Sequence, residues 1–208
     1  MSKLNQVPSP RSSSALVKRT AALLGLVPSL ASAAEGPIAL WNFEERSGAV
    51  AADASGNGHT GTINGAYWHN DFANGAIYCD GSGHVAVDDA PALRLTNAFT
   101  IACWIRLADR DGEGSMRMVS KKAPWYADNG YEFEYKPSIN ELSLVGRGRD
   151  RAFALVDLDE NWHHLAVTVS GTTAQFFVDG IAIDMLDDQT GAISAGSQVM
   201  AIGRHAGG

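Results

Sequence analysis

The stretch that decides the fold is Asn161-Trp-His-His-Leu-Ala-Val-Thr-Val-Ser170, followed by Thr173-Ala-Gln-Phe-Phe-Val-Asp-Gly-Ile-Ala-Ile-Asp184. Leu165, Val167 and Val169 alternate with Ala166 and Thr168, the period of two that belongs to a strand. Asp179-Gly180 then stands between two apolar runs. Both central residues of a type I′ turn need positive φ, and Asp-Gly supplies them, so the stretch predicts strand, turn, strand, tight turn, strand. It points to an antiparallel all-β chain.

The same signals recur outward from it. Asn57-Gly58, Asn64-Gly65, Asn74-Gly75, Asp80-Gly81, Asp111-Gly112 and Asn129-Gly130 are further reversal points. Strand-like runs lie between them at His84–Val87, Phe99–Leu107, Met116–Ser120, Tyr131–Tyr135, Glu141–Val145, Trp162–Val169, Ala174–Val178 and Val199–Ile202. No segment holds a helical period over three turns. Phe99, Ile101, Cys103 and Ile105 share one strand face, and Thr100, Ala102, Trp104 and Arg106 the other. Tyr131, Phe133 and Tyr135 likewise oppose Glu132 and Glu134. Short strands with Asx-Gly turns predict a two-sheet sandwich in one domain, residues 34–208.

Residues 1–33 read as a secretory leader. Lys3, Arg11, Lys18 and Arg19 give a basic start, Ala21-Ala-Leu-Leu-Gly-Leu-Val27 a short apolar core, and Ala31-Ser-Ala33 a small-x-small cleavage site. That core is too short to span a bilayer, and no other long apolar run exists, so an integral membrane protein is not expected. The expected location is secreted, periplasmic or cell-surface. The leader holds four of the 16 basic residues and none of the 23 acidic ones, so its removal takes the formal charge from −7 to −11. Such acidity argues against nucleic acid as a partner.

Three segments, taken in order, carry a family resemblance. They are Ala39-Leu-Trp-Asn-Phe-Glu-Glu45 with Asp53-Ala-Ser-Gly-Asn-Gly-His-Thr-Gly61; Ala76-Ile-Tyr-Cys-Asp-Gly81 with Phe99-Thr-Ile-Ala-Cys-Trp-Ile-Arg106; and the Trp162 to Gly180 hairpin. The set resembles the laminin-G-like, concanavalin A-like jelly rolls in their pentraxin-like bacterial form, from about Ile38 to Arg204. The resemblance implies a two-sheet antiparallel jelly roll. It also implies a closing strand after Ile202-Gly-Arg204, which the sequence to Gly208 does not contain, so a jelly roll lacking its last strand is expected.

Domains of this kind often hold calcium in loops, and hard oxygen ligands suit that ion. Asp53, Asn57 and Glu44 are the candidate ligands for a structural calcium. The competing reading makes Asp53 an Asx-turn cap. Asp109-Arg-Asp-Gly-Glu113 is a second acidic loop, read as a solvated hairpin tip. Gly56-Asn-Gly-His-Thr-Gly61 matches a dinucleotide fingerprint literally, but no strand precedes it and no helix follows. His163 and His164 are adjacent, so a strand sends them to opposite faces and they cannot readily share an ion. Cys79 and Cys103 sit in apolar strand patterns and read as core residues, with a disulfide as the alternative in an exported chain.

For function, Trp125-Tyr126-Ala-Asp128-Asn129-Gly-Tyr131 is the most informative cluster: aromatics able to stack on pyranose rings beside polar groups able to orient hydroxyls, in a loop that should run over the surface. Arg147 and Arg149, with Arg151, add a basic patch suited to an acidic polysaccharide or carboxylate; the competing reading is a simple turn with solvated charges. The expected function is an exported, non-catalytic module binding polysaccharide or glycoconjugate. The alternatives are a polysaccharide-degrading enzyme and a protein-adhesion domain. For a hydrolase, Glu132 and Glu134 have suitable spacing on one strand face. For a lyase, Arg117, Lys121 and Tyr135 have suitable chemistry. No catalytic motif accompanies either set.

Overall fold

The computed structural model describes residues 15–22, 36–69, 75–108, 114–204 and 206, the first of these segments as backbone only. In chain order the strands are β1 (Ala15–Ala22), β2 (Ala39–Trp41), β3 (Val50–Ala51), β4 (Gly61–Asn64), β5 (Tyr67–His69), β6 (Ala76–Cys79), β7 (His84–Val87) and β8 (Ala98–Leu107). They continue as β9 (Met116–Ser120), β10 (Glu132–Lys136), β11 (Glu141–Val145), β12 (Arg151–Leu155), β13 (Trp162–Ser170), β14 (Thr173–Val178), β15 (Ile181–Ala182) and β16 (Met200–Ile202). Two short 3-10 turns, Pro91–Leu93 and Pro137–Ile139, each open on a proline, whose fixed φ suits a first helical position. Among the described residues no helix is long and apolar enough to cross a membrane.

The strands form two antiparallel sheets. The first runs β15-β14-β13-β8-β1-β6-β5, with β2 also paired to β1; the second runs β12-β11-β10-β9-β16-β7-β4-β3. Register follows the hydrophobic alternation. Leu165, Val167 and Val169 of β13 stand opposite Cys103, Ile101 and Phe99 of β8, and all six are buried. From the other sheet Phe133, Tyr135, Leu142 and Leu144 meet them in one core. Phe133 stacks on Phe176 across the sandwich at 6.0 Å between centroids. A one-residue slip would turn these side chains to water, so burial of one face fixes the pairing.

The Asp179-Gly180 turn has φ of 51° and 82°, the two positive values a type I′ hairpin requires. Gly58, Gly65, Gly81 and Gly130 also have positive φ. The Asp111-Gly112 turn, and with it the Asp109–Glu113 loop, lies outside the described residues, as does Asn74. Cys79 and Cys103 are free and buried, and burial pushes each thiol pKa up to about 12, so both act as core residues. Gly56–Gly61 runs from a turn straight into β4, with no helix for a phosphate to cap.

Most of residues 1–33 lies outside the described residues, but Ala15–Ala22 of that segment is a strand. It lies antiparallel to β6 and β8, with Val17 opposite both Ile77 and Ile105. A register shift falls between Lys18 and Thr20, at the basic pair that interrupts the apolar pattern.

Candidate functional site

The face of β9–β12 turned away from the core carries a floor of charge. Glu132 and Glu134 alternate with the core residues Phe133 and Tyr135, yet their own exposures are only 1% and 3%. They are covered by neighbours. Arg117 Nε donates to Glu132 at 2.9 Å and lies 3.9 Å from Glu134. Ser120 donates to Glu132 at 2.7 Å, and Ser143 to Glu134 at 3.2 Å. Lys136 bridges Glu134 at 3.0 Å and Glu141 at 2.6 Å. Arg151 grips Glu141 through two nitrogens at 3.0 and 3.1 Å, the bidentate geometry in which guanidinium and carboxylate fit best.

Burial raises the Glu132 pKa more than Arg117 and Ser120 lower it. Burial raises that of Glu141 too, but there the bonds from Arg151 and Lys136 outweigh it, and the net shift is downward. The Lys136 pKa is pulled down by burial, then carried above its usual value by Glu141 and Glu134. The acids of the floor are therefore held in ion pairs.

A β-bulge assembles this floor. β10 pairs Glu132 with Ser120 but Glu134 with Arg117, skipping Met118. Directly opposed residues share a face, so Arg117 and Ser120 lie together although three apart in sequence.

Two loops wall one end, and with the floor they enclose a cavity of about 410 Å³ lined by Ser115, Arg117, Trp125, Glu132, Glu134, Lys136, Val145, Arg149 and Arg151. Trp125 stands 44% exposed at the rim. The Arg149 guanidinium lies 4.5 Å from its ring centroid, a cation–π geometry. Tyr126 packs edge-on against the Trp125 ring at 5.6 Å.

The loops are joined from beneath by Lys122, a fully buried lysine. Its ammonium donates to the carbonyl of Gly146 at 2.6 Å and to that of Ala127. Gly148 N–H donates to the same Ala127 carbonyl at 3.0 Å. Burial lowers the Lys122 pKa, against the pull of the Glu132, Asp128 and Asp150 charges. Gly146 is required at the junction, because a Cβ there would lie 2.1 Å from the Thr190 carbonyl oxygen.

Of the sequence-predicted ligand residues, the structure brings Trp125, Tyr126 and Arg149 together. Asp128 is exposed beside Gly148, Asn129 is half-buried and bridges to Ser194, and Arg147 is exposed outside the cavity lining. Tyr131 is corrected: it is 1% exposed in the core, where its hydroxyl donates to the Leu93 carbonyl at 3.0 Å. The chain re-enters the sandwich at Gly130, and the loop's surface ends there. Tyr135 is also a core residue, its hydroxyl donating to Val156 O at 2.9 Å. Lys121 is buried against Asp89 at 2.6 Å, so neither joins Arg117 in a lyase-like set. Sequence reasoning missed Lys122, Lys136 and Glu141 as members of the site.

Asp53, Asn57 and Glu44 lie apart from this cavity. Asp53 Oδ1 accepts the amides of Leu40 at 3.0 Å and Ser55 at 2.9 Å, and Oδ2 that of His59 at 2.9 Å. Burial raises its pKa, but the bonds from Ser55, Leu40 and His59 prevail and lower it. Asn57 turns its amide nitrogen onto the carbonyl of Ile38 at 2.8 Å, and Glu44 is exposed. Among the described residues no group of three or more His, Cys, Asp or Glu is placed to hold a metal. With three amides on its two oxygens, the Asp53 carboxylate organises its loop.

The chain matches the family model Laminin_G_3, of the concanavalin A-like lectin/glucanases superfamily, over residues 80–208. It belongs to this family. No curated protein matches. Among solved structures, this concanavalin A-like domain is similar to the botulinum neurotoxin serotype D binding domain, with a TM-score of 0.57, 10% identity, 89% of this chain covered and 43% of the other. It is similar to the binding domain of botulinum neurotoxin DC in complex with SialylT, with a TM-score of 0.55, 14% identity, 73% of this chain covered and 40% of the other. Domain 4 of AbnA, a GH43 extracellular arabinanase from Geobacillus stearothermophilus, in complex with arabinotriose, gives a TM-score of 0.53 at 14% identity over 91% of this chain and 84% of that domain. The domain thus spans less than half the length of the two toxin domains.

Proposed function

We propose that this concanavalin A-like domain is a non-catalytic carbohydrate-binding module, exported by the leader read in residues 1–33, and that the Trp125–Arg149 cavity is its glycan site. The observation that carries the reading is an exposed tryptophan at the mouth of an open cavity whose floor is polar and fixed. An apolar ring face suits the C–H face of a pyranose, and a few placed polar groups suit its hydroxyls. Two of the similar folds were solved with saccharides bound, which supports the reading. The three floor carboxylates are each tied to a cation, leaving none disposed as a free nucleophile or base.

A glycan array tests this. Trp125→Ala should weaken binding of any hit by about thirtyfold, the cost of losing a central aromatic anchor of about 2 kcal/mol, with the melting temperature unchanged. Unaltered binding by that variant would move the site elsewhere. New reducing or unsaturated ends on incubation with a bound polymer would make the domain an enzyme.

A further inference from the structure

We infer that the cavity selects anionic saccharides, seating a carboxylate or sulfate group against Arg149 while the sugar ring lies on Trp125. This rests on the glycan-binding reading above and narrows it. The argument is one of charge. The floor holds Glu132, Glu134 and Glu141 against Arg117, Lys136 and Arg151, and every one of these six is ion-paired within it. Three negative charges meet three positive ones. Arg149 is the seventh charged group lining or flooring the cavity, and it has no carboxylate at ion-pair distance among the described residues. Its guanidinium lies over the Trp125 ring.

Asp150 Oδ2 lies beside Gly191, and Asp128 Oδ1 beside Gly148. The cavity therefore carries a surplus positive charge in a chain whose formal charge is −7. A guanidinium held over an aromatic ring by its charge still offers N–H groups in a fixed fork, which matches a planar carboxylate or a sulfate. A neutral sugar leaves that fork to water. Arg151, 40% exposed at the side chain, lies on the same face.

The test is a printed array of neutral, uronic and sulfated glycans probed with the full chain, followed by titration with polygalacturonate and its methyl ester. These last two share a backbone and differ only in charge. Hits should be confined to acidic glycans. The acid should bind about tenfold more tightly than the ester, the scale of one charge-assisted hydrogen bond. Raising the salt should shrink that preference, since exposed charges are screened. Arg149→Gln should abolish the preference and leave the melting temperature in place. Equal binding of neutral and acidic glycans would overturn the anionic selection while leaving the module intact. A preference that survives Arg149→Gln would overturn it as well. No binding to any glycan by the folded chain would overturn both readings.

Discussion

At the scale of single residues, two adjacent lysines do opposite of what lysines usually do. Lys121 and Lys122 are both fully buried, and each is tolerated because oxygen atoms surround its ammonium. Lys121 meets Asp89, which also holds Arg94 at 2.5 Å. Arg94 first, then Lys121, hold the Asp89 carboxyl down to about 2. Its contribution to stability is thus complete above the ordinary value of 3.8 and is lost as pH falls toward 2. Asp89→Ala leaves the buried Lys121 ammonium its bond to the Gln198 carbonyl but no counter-charge and should destabilise the fold by about 3 kcal/mol, readable by urea denaturation. Lys122→Met should act differently. It takes the ammonium donor from the Gly146 carbonyl and leaves Ala127 O with Gly148 N–H alone, at about 1–3 kcal/mol, and loosens the two loops from one another. Glycan binding should fall further than in a surface-lysine control, with a shift in Trp125 fluorescence; unchanged binding would show that the loops are held without it. Tyr131→Phe, by contrast, should cost about 1 kcal/mol of stability and leave binding alone.

At the scale of elements, the sequence foretold whatever one face or one turn decides. The Leu165-Val167-Val169 alternation and the Asp179-Gly180 turn are legible because burial and positive φ act locally. β12 was not legible, since Arg151-Ala-Phe-Ala-Leu155 follows a run of arginines that reads as a solvated turn. The charged floor was illegible for a different reason. Glu132 and Glu134 could be put on one face, but their partners depend on which strands adjoin β10 and on the bulge at Met118, and neither leaves a mark in sequence. Lys122 was missed because lysines are rarely buried and no local pattern announces the exception.

The hairpin that decided the fold also contains a titrating clamp. His163 Nδ1 lies 2.8 Å from Asp179 and Nε2 3.0 Å from Asp159, while Asp179 Oδ1 accepts the His164 amide at 2.8 Å. Burial lowers the His163 pKa, but Asp179 and then Asp159 outweigh it and raise the net value above the usual 6.5. A raised histidine stabilises fully below about 6.5 and loses that stabilisation as pH rises through its folded value. The melting-temperature gap between the natural chain and His163→Gln should therefore be widest near pH 5.5 and narrow toward pH 8.5. A gap that does not vary with pH would mean that the clamp acts through neutral hydrogen bonds alone.

At the scale of the whole molecule, the first sheet depends on β1. Among the described pairings, β8 reaches β6 and β2 only through that strand. Without it the sheet divides into β15-β14-β13-β8 on one side and β6-β5 on the other, and backbone groups along Ala102–Leu107 lose the partners they have in β1. Unpaired strand edges and an opened core favour association. Yet cleavage after Ala33, which the leader reading proposes, takes β1 away with the leader. The two meet in one experiment. Residues 34–208 should melt below the full chain and expose apolar surface to a reporter dye. A synthetic peptide of residues 15–22 should raise that melting temperature saturably, because a ligand binding only the folded state stabilises it by about 2.7 kcal/mol at a hundred times its dissociation constant. N-terminal sequencing of the protein as its natural host makes it decides which form exists. If it begins at Ala34, melts as high as the full chain and ignores the peptide, then another strand occupies the place between β6 and β8, and β1 has no part in the working molecule.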